Sequence, residues 1–138
     1  MIFVDTSAWY ALKATNDRFH DDAVSFYDAL KTGRHGSLLV SDYVLDETAT
    51  LLMDTKGGET ASGFLDEALH SKSVRIVWIG PELFHQATTT FKNGSGRGWS
   101  FTDCTSFELM RQLKIETAFA FDRHFNEAGL NRLPNVRT

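Results

Sequence analysis

The chain has 138 residues, of which 42% are hydrophobic and 23% are charged. These values exclude a disordered chain and favour a single folded domain over residues 1–138. The formal net charge of −4 offers nucleic acid no bulk attraction. Binding of RNA would therefore need a local basic patch or metal ions.

Cys104 is the only cysteine in the chain. A single thiol excludes an internal disulfide framework and a thiolate zinc site, and it favours a reduced, cytoplasmic compartment. No stretch approaches the ~20 apolar residues of a membrane span. The first residues also lack the charged region of a signal peptide. We therefore expect a cytoplasmic protein with no membrane partner.

Strands and helices are predicted to alternate along the chain. Short apolar runs predict strands over 2–4, 37–41, 74–79, 117–121 and 133–136. Apolar residues at helical spacing predict helices over 6–12, 20–31, 42–56, 60–70, 81–91, 103–113 and 125–130. This alternation predicts a doubly wound α/β fold, with a parallel sheet and helices on both faces.

Several apolar positions are predicted to face the core. We expect Leu51 and Leu52 to lie on the inner side of the helix over 42–56. In the helix over 103–113, we expect Phe107, Met110 and Leu113 to point inward. The stretch 93–98 contains three glycines and is predicted to be a flexible loop.

Four acidic residues occupy positions where surface acids are not expected. Asp5 and Asp122 directly follow predicted strands, and Asp103 is predicted to open a helix. Glu47 borders the apolar stripe of its helix, whereas the neighbouring Asp46 points toward solvent. Because the carboxyl ends of parallel strands and the following helix starts share one edge of the sheet, these four acids should converge there.

Crowded carboxylates repel one another unless cations neutralise them. Oxygen donors with no convergent His or Cys favour Mg²⁺ or Mn²⁺ over Zn²⁺. Two divalent ions would balance four carboxylates and one ion would leave net negative charge, so the number of ions stays open. Such ions activate water and stabilise the leaving oxygen in phosphodiester cleavage.

Each acid also has an ordinary structural interpretation. Asp103 would suit a helix N-terminus, and Asp5 and Asp122 could cap the segments that follow them. Glu47 could be a simple boundary residue of an amphipathic helix. The functional interpretation depends on all four acids sharing one edge.

Segments 2–7, 44–47, 100–104 and 120–125 resemble the four acidic motifs of PIN-domain ribonucleases. More narrowly, they resemble the VapC-type toxins of bacterial and archaeal toxin–antitoxin pairs. The resemblance spans nearly the whole chain. It implies a three-layer α/β/α sandwich around a central parallel sheet of four to five strands.

The resemblance also implies an activity, a cofactor and a set of site residues. The implied activity is endonucleolytic cleavage of RNA, which uses one or two Mg²⁺ or Mn²⁺ ions and leaves 5′-phosphate and 3′-hydroxyl ends on the RNA. By the motif match, the residues that are both catalytic and metal-binding are Asp5, Glu47, Asp103 and Asp122. Ser7 and Thr102 match hydroxyl positions that support the acids.

The implied partners are an RNA substrate, a second copy of the chain in a homodimer, and a VapB-type antitoxin that blocks the site. Arg97 in the glycine loop and Arg123 beside Asp122 are candidate RNA contacts, although either could be an ordinary solvated residue. His124 lies next to an acidic motif, where we favour a structural role.

Two other functions stay open at this stage. A PIN-like module could bind RNA or protein without turnover. A small Mg²⁺-dependent phosphatase of the haloacid dehalogenase type also begins with a strand that ends in Asp, but it needs a second acid where this chain has Ser7. A phospho-receiver domain is disfavoured, because it needs an acidic pair after the first strand and a later strand-terminal lysine.

Overall fold

The computed structural model describes residues 1–137 and contains five strands and seven helices. The strands are β1 Ile2–Val4, β2 Leu38–Ser41, β3 Val74–Val77, β4 Thr117–Phe119 and β5 Asn131–Leu133. The helices are α1 Thr6–Lys13, α2 His20–Leu30, α3 Asp42–Lys56, α4 Gly58–His70, α5 Pro81–Asn93, α6 Phe101–Leu113 and α7 His124–Glu127. A short 3₁₀ turn, Ser95–Arg97, lies within the predicted glycine loop.

The five strands form one parallel sheet in the order β3-β2-β1-β4-β5. The central strand is β1, where Phe3 pairs with Leu39 on one side and Ala118 on the other. Its three residues are fully buried, as the unbroken apolar run predicts. All five carboxyl ends point to one edge of the sheet, which we call the acidic edge.

Helices cover both faces of the sheet. The chain moves from β1 to β2 to β3 toward one side of the sheet and then crosses back to β4 and β5 on the other side. Because such parallel connections are right-handed, α1–α4 lie on one face of the sheet and α5–α7 on the other. On the first face the Trp9 and Phe64 rings lie 5.5 Å apart, and on the second Phe125 packs against Phe3 and Phe107. The predicted three-layer α/β/α sandwich is therefore confirmed.

Several predicted boundaries differ from the structure. The last strand is Asn131–Leu133 rather than 133–136, because Pro134 has no N–H with which to extend the ladder. Strand β4 ends at Phe119 rather than at residue 121, because its neighbour β1 has already ended and the chain turns into α1 at this point. Helix α6 begins at Phe101 rather than at Asp103, because Ser100 caps it.

The inward direction of some apolar side chains was predicted wrongly. Leu113 is 42% exposed and Leu51 is 38% exposed, whereas Leu52, Phe107 and Met110 are fully buried. A helical stripe buries only the residues that point at the sheet, and residues on its flank remain partly in water. None of the helices formed by residues 1–137 combines the length and apolar character that a membrane crossing requires.

Adjacent leucines of α3 provide a matched test of this packing. Leu52→Ala should lower the free energy of unfolding by about 2–5 kcal/mol, because it leaves a cavity beneath a fully buried side chain. Leu51→Ala should cost less than about 1 kcal/mol, because that side chain is partly solvated. Urea denaturation of both variants measures the difference. Equal losses would contradict the observed helix orientation.

Candidate active site

Asp5 lies where β1 ends and caps the N-terminus of α1. The carboxylate is 3% exposed, and its Oδ2 accepts hydrogen bonds from the Ser7 backbone N–H at 3.1 Å and the Ser7 hydroxyl at 2.7 Å. Ser7 Oγ in turn accepts a hydrogen bond from the Phe121 N–H at 2.9 Å. Ser7 therefore fixes Asp5 and ties the exit of β1 to the segment after β4.

Asp103 lies in the first turn of α6, at the third helical position. Its Oδ2 accepts the Ser100 N–H at 3.0 Å, while Ser100 Oγ accepts the Asp103 N–H at 2.9 Å. This reciprocal pair is a capping box, which holds a carboxylate that is only 6% exposed.

His124 brings Asp103 and Asp122 together. Its Nδ1 lies 3.0 Å from Asp103 Oδ2 and 3.3 Å from Asp122 Oδ1. Asp122 Oδ1 also accepts the backbone N–H of His124, the first residue of α7, at 2.9 Å. The expectation that no histidine converges on the acids is therefore wrong. Nothing in the residue spacing reveals the direction of this ring.

Glu47 lies one turn and a half into α3 and is partly buried. Its charge interacts with those of Asp103 and Asp122, and the hydroxyls of Thr6 and Thr102 lie beside it. Thr6 Oγ1 is buried and makes no hydrogen bond of ordinary geometry within the described part of the chain. Asp46 is exposed, so the sequence-based distinction between these two neighbouring acids is confirmed.

Burial and mutual repulsion disfavour the charged carboxylates. Burial, with smaller contributions from the charges of Asp103 and Glu47, raises the pKa of Asp5 to about 7, although the bonds from Ser7 oppose this shift. Burial also raises the pKa of Glu47 and of Asp103. For His124, burial alone would lower the pKa, but the hydrogen bond to Asp103 and the surrounding negative charges raise it.

This donor set fits a divalent cation. One carboxylate oxygen each from Asp103 and Asp122 and one ring nitrogen from His124 all lie within 4.8 Å of one another. The charges of Asp103 and Glu47 act on Asp5, and those of Asp103 and Asp122 act on Glu47, so all four acids belong to one cluster. A doubly charged ion would compensate both the burial of these carboxylates and their mutual repulsion, which together raise their pKa values.

The remaining predicted site residues lie at different distances from this cluster. Thr102 lies beside Glu47. Arg123 is exposed and sits between Asp122 and His124 in the chain. Arg97 lies with its guanidinium 5.0 Å from the Trp99 ring and lines a depression that contains none of the four acids.

Sequence reasoning missed three residues that build the site, which are Thr6, Ser100 and the ring of His124. Ser100 followed by an acid three residues later is a recognisable capping-box pattern. Thr6 follows a strand-terminal acid, but its proximity to Glu47 depends on how α1 and α3 pack together, which only the structure shows.

Comparison with known proteins assigns the chain to a family. The model of the PIN domain matches residues 2–130. The 23S rRNA-specific endonuclease VapC20 of Mycobacterium tuberculosis is 36% identical over 129 residues, covering 94% of this chain and 95% of that protein. A VapC ribonuclease of Archaeoglobus fulgidus is 28% identical over 130 residues, covering 94% of this chain and 81% of that protein.

A solved structure agrees with the sequence comparison. The crystal structure of Mycobacterium tuberculosis VapC20, described as a sarcin–ricin loop cleaving toxin, superposes with a TM-score of 0.84 at 35% identity. The alignment covers 94% of this chain and 96% of that one. The chain therefore belongs to the PIN-domain family, and within it to the VapC-type toxins.

Proposed function

We propose that this protein is a metal-dependent endoribonuclease and the toxin of a toxin–antitoxin pair. The observation that carries the proposal is the cluster of Asp5, Glu47, Asp103 and Asp122 at the acidic edge, where their charges perturb one another. Relatives that cover nearly the whole chain are named as endonucleases or ribonucleases, which supports the same chemistry.

The four carboxylates would hold one or two Mg²⁺ or Mn²⁺ ions. When bound, such an ion stabilises negative charge on phosphate oxygens and lowers the pKa of a coordinated water. The protein orients the carboxylates in advance, because Ser7 fixes Asp5 and Ser100 fixes Asp103 through hydrogen bonds. The hydroxyls of Thr6 and Thr102 lie beside Glu47 and favour its charged form.

The substrate we propose is RNA, with structured ribosomal RNA as the first candidate on the basis of the relatives' names. Next to Asp122 lies an apolar recess lined by Tyr10, Phe19, Leu51 and Phe121, whose mostly apolar walls suit an unpaired base. Arg123 would contact phosphate beside the acids. Arg97 would contact RNA only farther from the cleaved bond, because it faces a separate depression.

A VapB-type antitoxin and a second copy of the chain are the proposed protein partners, in the cytoplasm. Helices α3 and α4 bury Leu52 and Phe64 in the core but leave Met53 and Leu69 exposed. Exposed apolar side chains of this size suit an antitoxin segment. Phe84 and Phe91 on α5 are also partly exposed and offer a separate surface for the homodimer.

Glu47 and Asp46 provide a matched test of the catalytic acids. Glu47→Gln should reduce RNA cleavage in Mg²⁺ or Mn²⁺ at least about 100-fold, because it removes one charge from the metal-binding cluster. Asp46→Asn changes the adjacent, exposed carboxylate and should leave the rate close to that of the wild type. Circular dichroism and the urea midpoint check that both variants are folded.

Two results would refute the catalytic assignment. One is full cleavage by the folded Glu47→Gln or Asp103→Asn variant, and the other is cleavage by the wild type in excess chelator. Growth arrest by an inactive Asp5→Asn protein would instead support the alternative of a PIN-like binding module without turnover.

The raised carboxyl pKa values predict an unusual pH dependence of stability without metal. The folded protein binds these protons more tightly than the unfolded chain, so the stabilisation is complete below the ordinary pKa of 3.8 and is lost as pH rises through about 7. In chelator, the urea concentration at the unfolding midpoint should decrease as the pH is raised from about 5 to about 8. Mn²⁺ should restore it at the higher pH, because the ion replaces the lost protons.

Asp5→Asn is the control, because an uncharged side chain at this position should flatten the pH dependence. If the urea midpoint of the wild type in chelator rises or stays constant from about pH 5 to about pH 8, the raised carboxyl pKa values are contradicted.

A further inference from the structure

We propose that His124 is a direct ligand of the metal ion, so that the site has mixed oxygen and nitrogen donors rather than carboxylates alone. The proposal rests on the metal-dependent function given above and extends it to the metal that this site prefers. The nitrogen involved is Nδ1, and the neighbouring donors are Asp103 Oδ2 and Asp122 Oδ1.

The spacing of the donor atoms carries the argument. Nδ1 lies 3.0 Å from Asp103 Oδ2 and 3.3 Å from Asp122 Oδ1. In an octahedral site with bonds of about 2.1 Å, adjacent ligand atoms are about 3.0 Å apart. Each of these carboxylate oxygens therefore lies from Nδ1 at nearly the distance of an adjacent ligand on one ion. The three residues together offer ligand atoms that all lie within 4.8 Å of one another, so small adjustments would place an ion among them.

The other ring nitrogen faces a carboxylate. His124 Nε2 lies 3.8 Å from Glu127 Oε1, one turn farther along α7. An imidazole that binds metal through one nitrogen usually donates the N–H of its other nitrogen to a carboxylate, a carbonyl or water. Without an ion, Nδ1 shares a proton with Asp103. When an ion displaces that proton, Glu127 would favour the tautomer with the proton on Nε2, which frees the lone pair of Nδ1 for the ion.

The backbone around His124 is firmly held. Phe125, the next residue, is fully buried and packs against Phe3 and Phe107. The His124 N–H is bonded to Asp122 at 2.9 Å. The imidazole is therefore positioned by the core and by α7 before any ion binds, as a ligand of a preformed site must be.

An imidazole ligand changes the expected metal preference. Carboxylates and water suit Mg²⁺ and Mn²⁺ alike, whereas nitrogen donors suit transition metals better than Mg²⁺. A site containing His124 should therefore favour Mn²⁺ over Mg²⁺, and replacing His124 should reduce this preference.

A second role for His124 must be distinguished from ligation. In this role the ring would not touch the metal but would hydrogen-bond to Asp103 and hold it in position. Loss of such a partner also weakens metal binding, typically about 10–100-fold. Affinity alone therefore does not separate the two roles. Magnetic coupling between Mn²⁺ and a directly bound ¹⁴N nucleus does, because it requires coordination.

The experiment is pulsed electron paramagnetic resonance of the full chain loaded with one equivalent of Mn²⁺, together with calorimetric titration of Mn²⁺ and of Mg²⁺. We expect a coordinated-¹⁴N signal in the wild type and in His85→Gln, a control at an exposed histidine of α5. His124→Gln should lose the signal and bind Mn²⁺ at least about ten-fold more weakly, with a smaller loss for Mg²⁺. Glu127→Gln should keep the signal.

Mn²⁺ bound by the folded wild type without ¹⁴N coupling, or coupling that persists in His124→Gln, would overturn His124 as a ligand. If that wild-type protein still cleaves RNA, the proposed function stands without the further inference. If neither ion binds the folded wild type, both fail together.

Discussion

The main cost that this fold must offset is the burial of carboxylates at the acidic edge, to which their mutual repulsion adds. Asp5 and Asp103 are almost completely removed from water and lie near the charges of Glu47 and Asp122. Such a cluster costs free energy unless backbone N–H groups, protons or cations compensate it. The fold supplies the first of these, because Asp5, Asp103 and Asp122 each accept a hydrogen bond from a backbone N–H at the start of a helix.

The structural and functional interpretations of these acids are therefore not alternatives. A carboxylate that caps a helix is held at the positive end of that helix, which also lowers the cost of its charge. In a parallel sheet the helix starts lie at the same edge as the strand ends, so caps converge as a consequence of topology. The hydrogen bond that the Phe121 N–H donates to Ser7 Oγ joins residues 114 positions apart and ties the exits of β1 and β4 together at this edge.

Local pattern was enough to predict most of the fold and the identity of the four acids. Strand ends and helix starts are local features, so Asp5, Asp103 and Asp122 could be recognised without tertiary information. The position of β5 could not be predicted in this way. The bounds of this edge strand are determined by its pairing with β4 rather than by its own three residues. The prediction that Leu51 and Leu113 face the core was wrong for a similar reason. Periodicity identifies the centre of a helical stripe better than its width.

The site shows the same division between local and long-range information. That His124 follows Asp122 by two residues is visible in the sequence, but the contact of its ring with Asp103, 21 residues away, is set by the packing of α7 against α6 through Phe125 and Phe107. The same holds for Thr6 beside Glu47. Residues that hold the acids in place are therefore harder to predict than the acids themselves.

We propose that the acidic edge hydrolyses RNA with metal-activated water. The most direct measurement is the chemistry of the ends left on a cleaved RNA in Mg²⁺ or Mn²⁺. Attack by water on the phosphorus, with the P–O3′ bond broken and the 3′ oxygen leaving, gives a 5′-phosphate and a 3′-hydroxyl, and these are the ends we expect. A 2′,3′-cyclic phosphate with a 5′-hydroxyl would mean that the ribose 2′-hydroxyl is the nucleophile, and it would contradict the account.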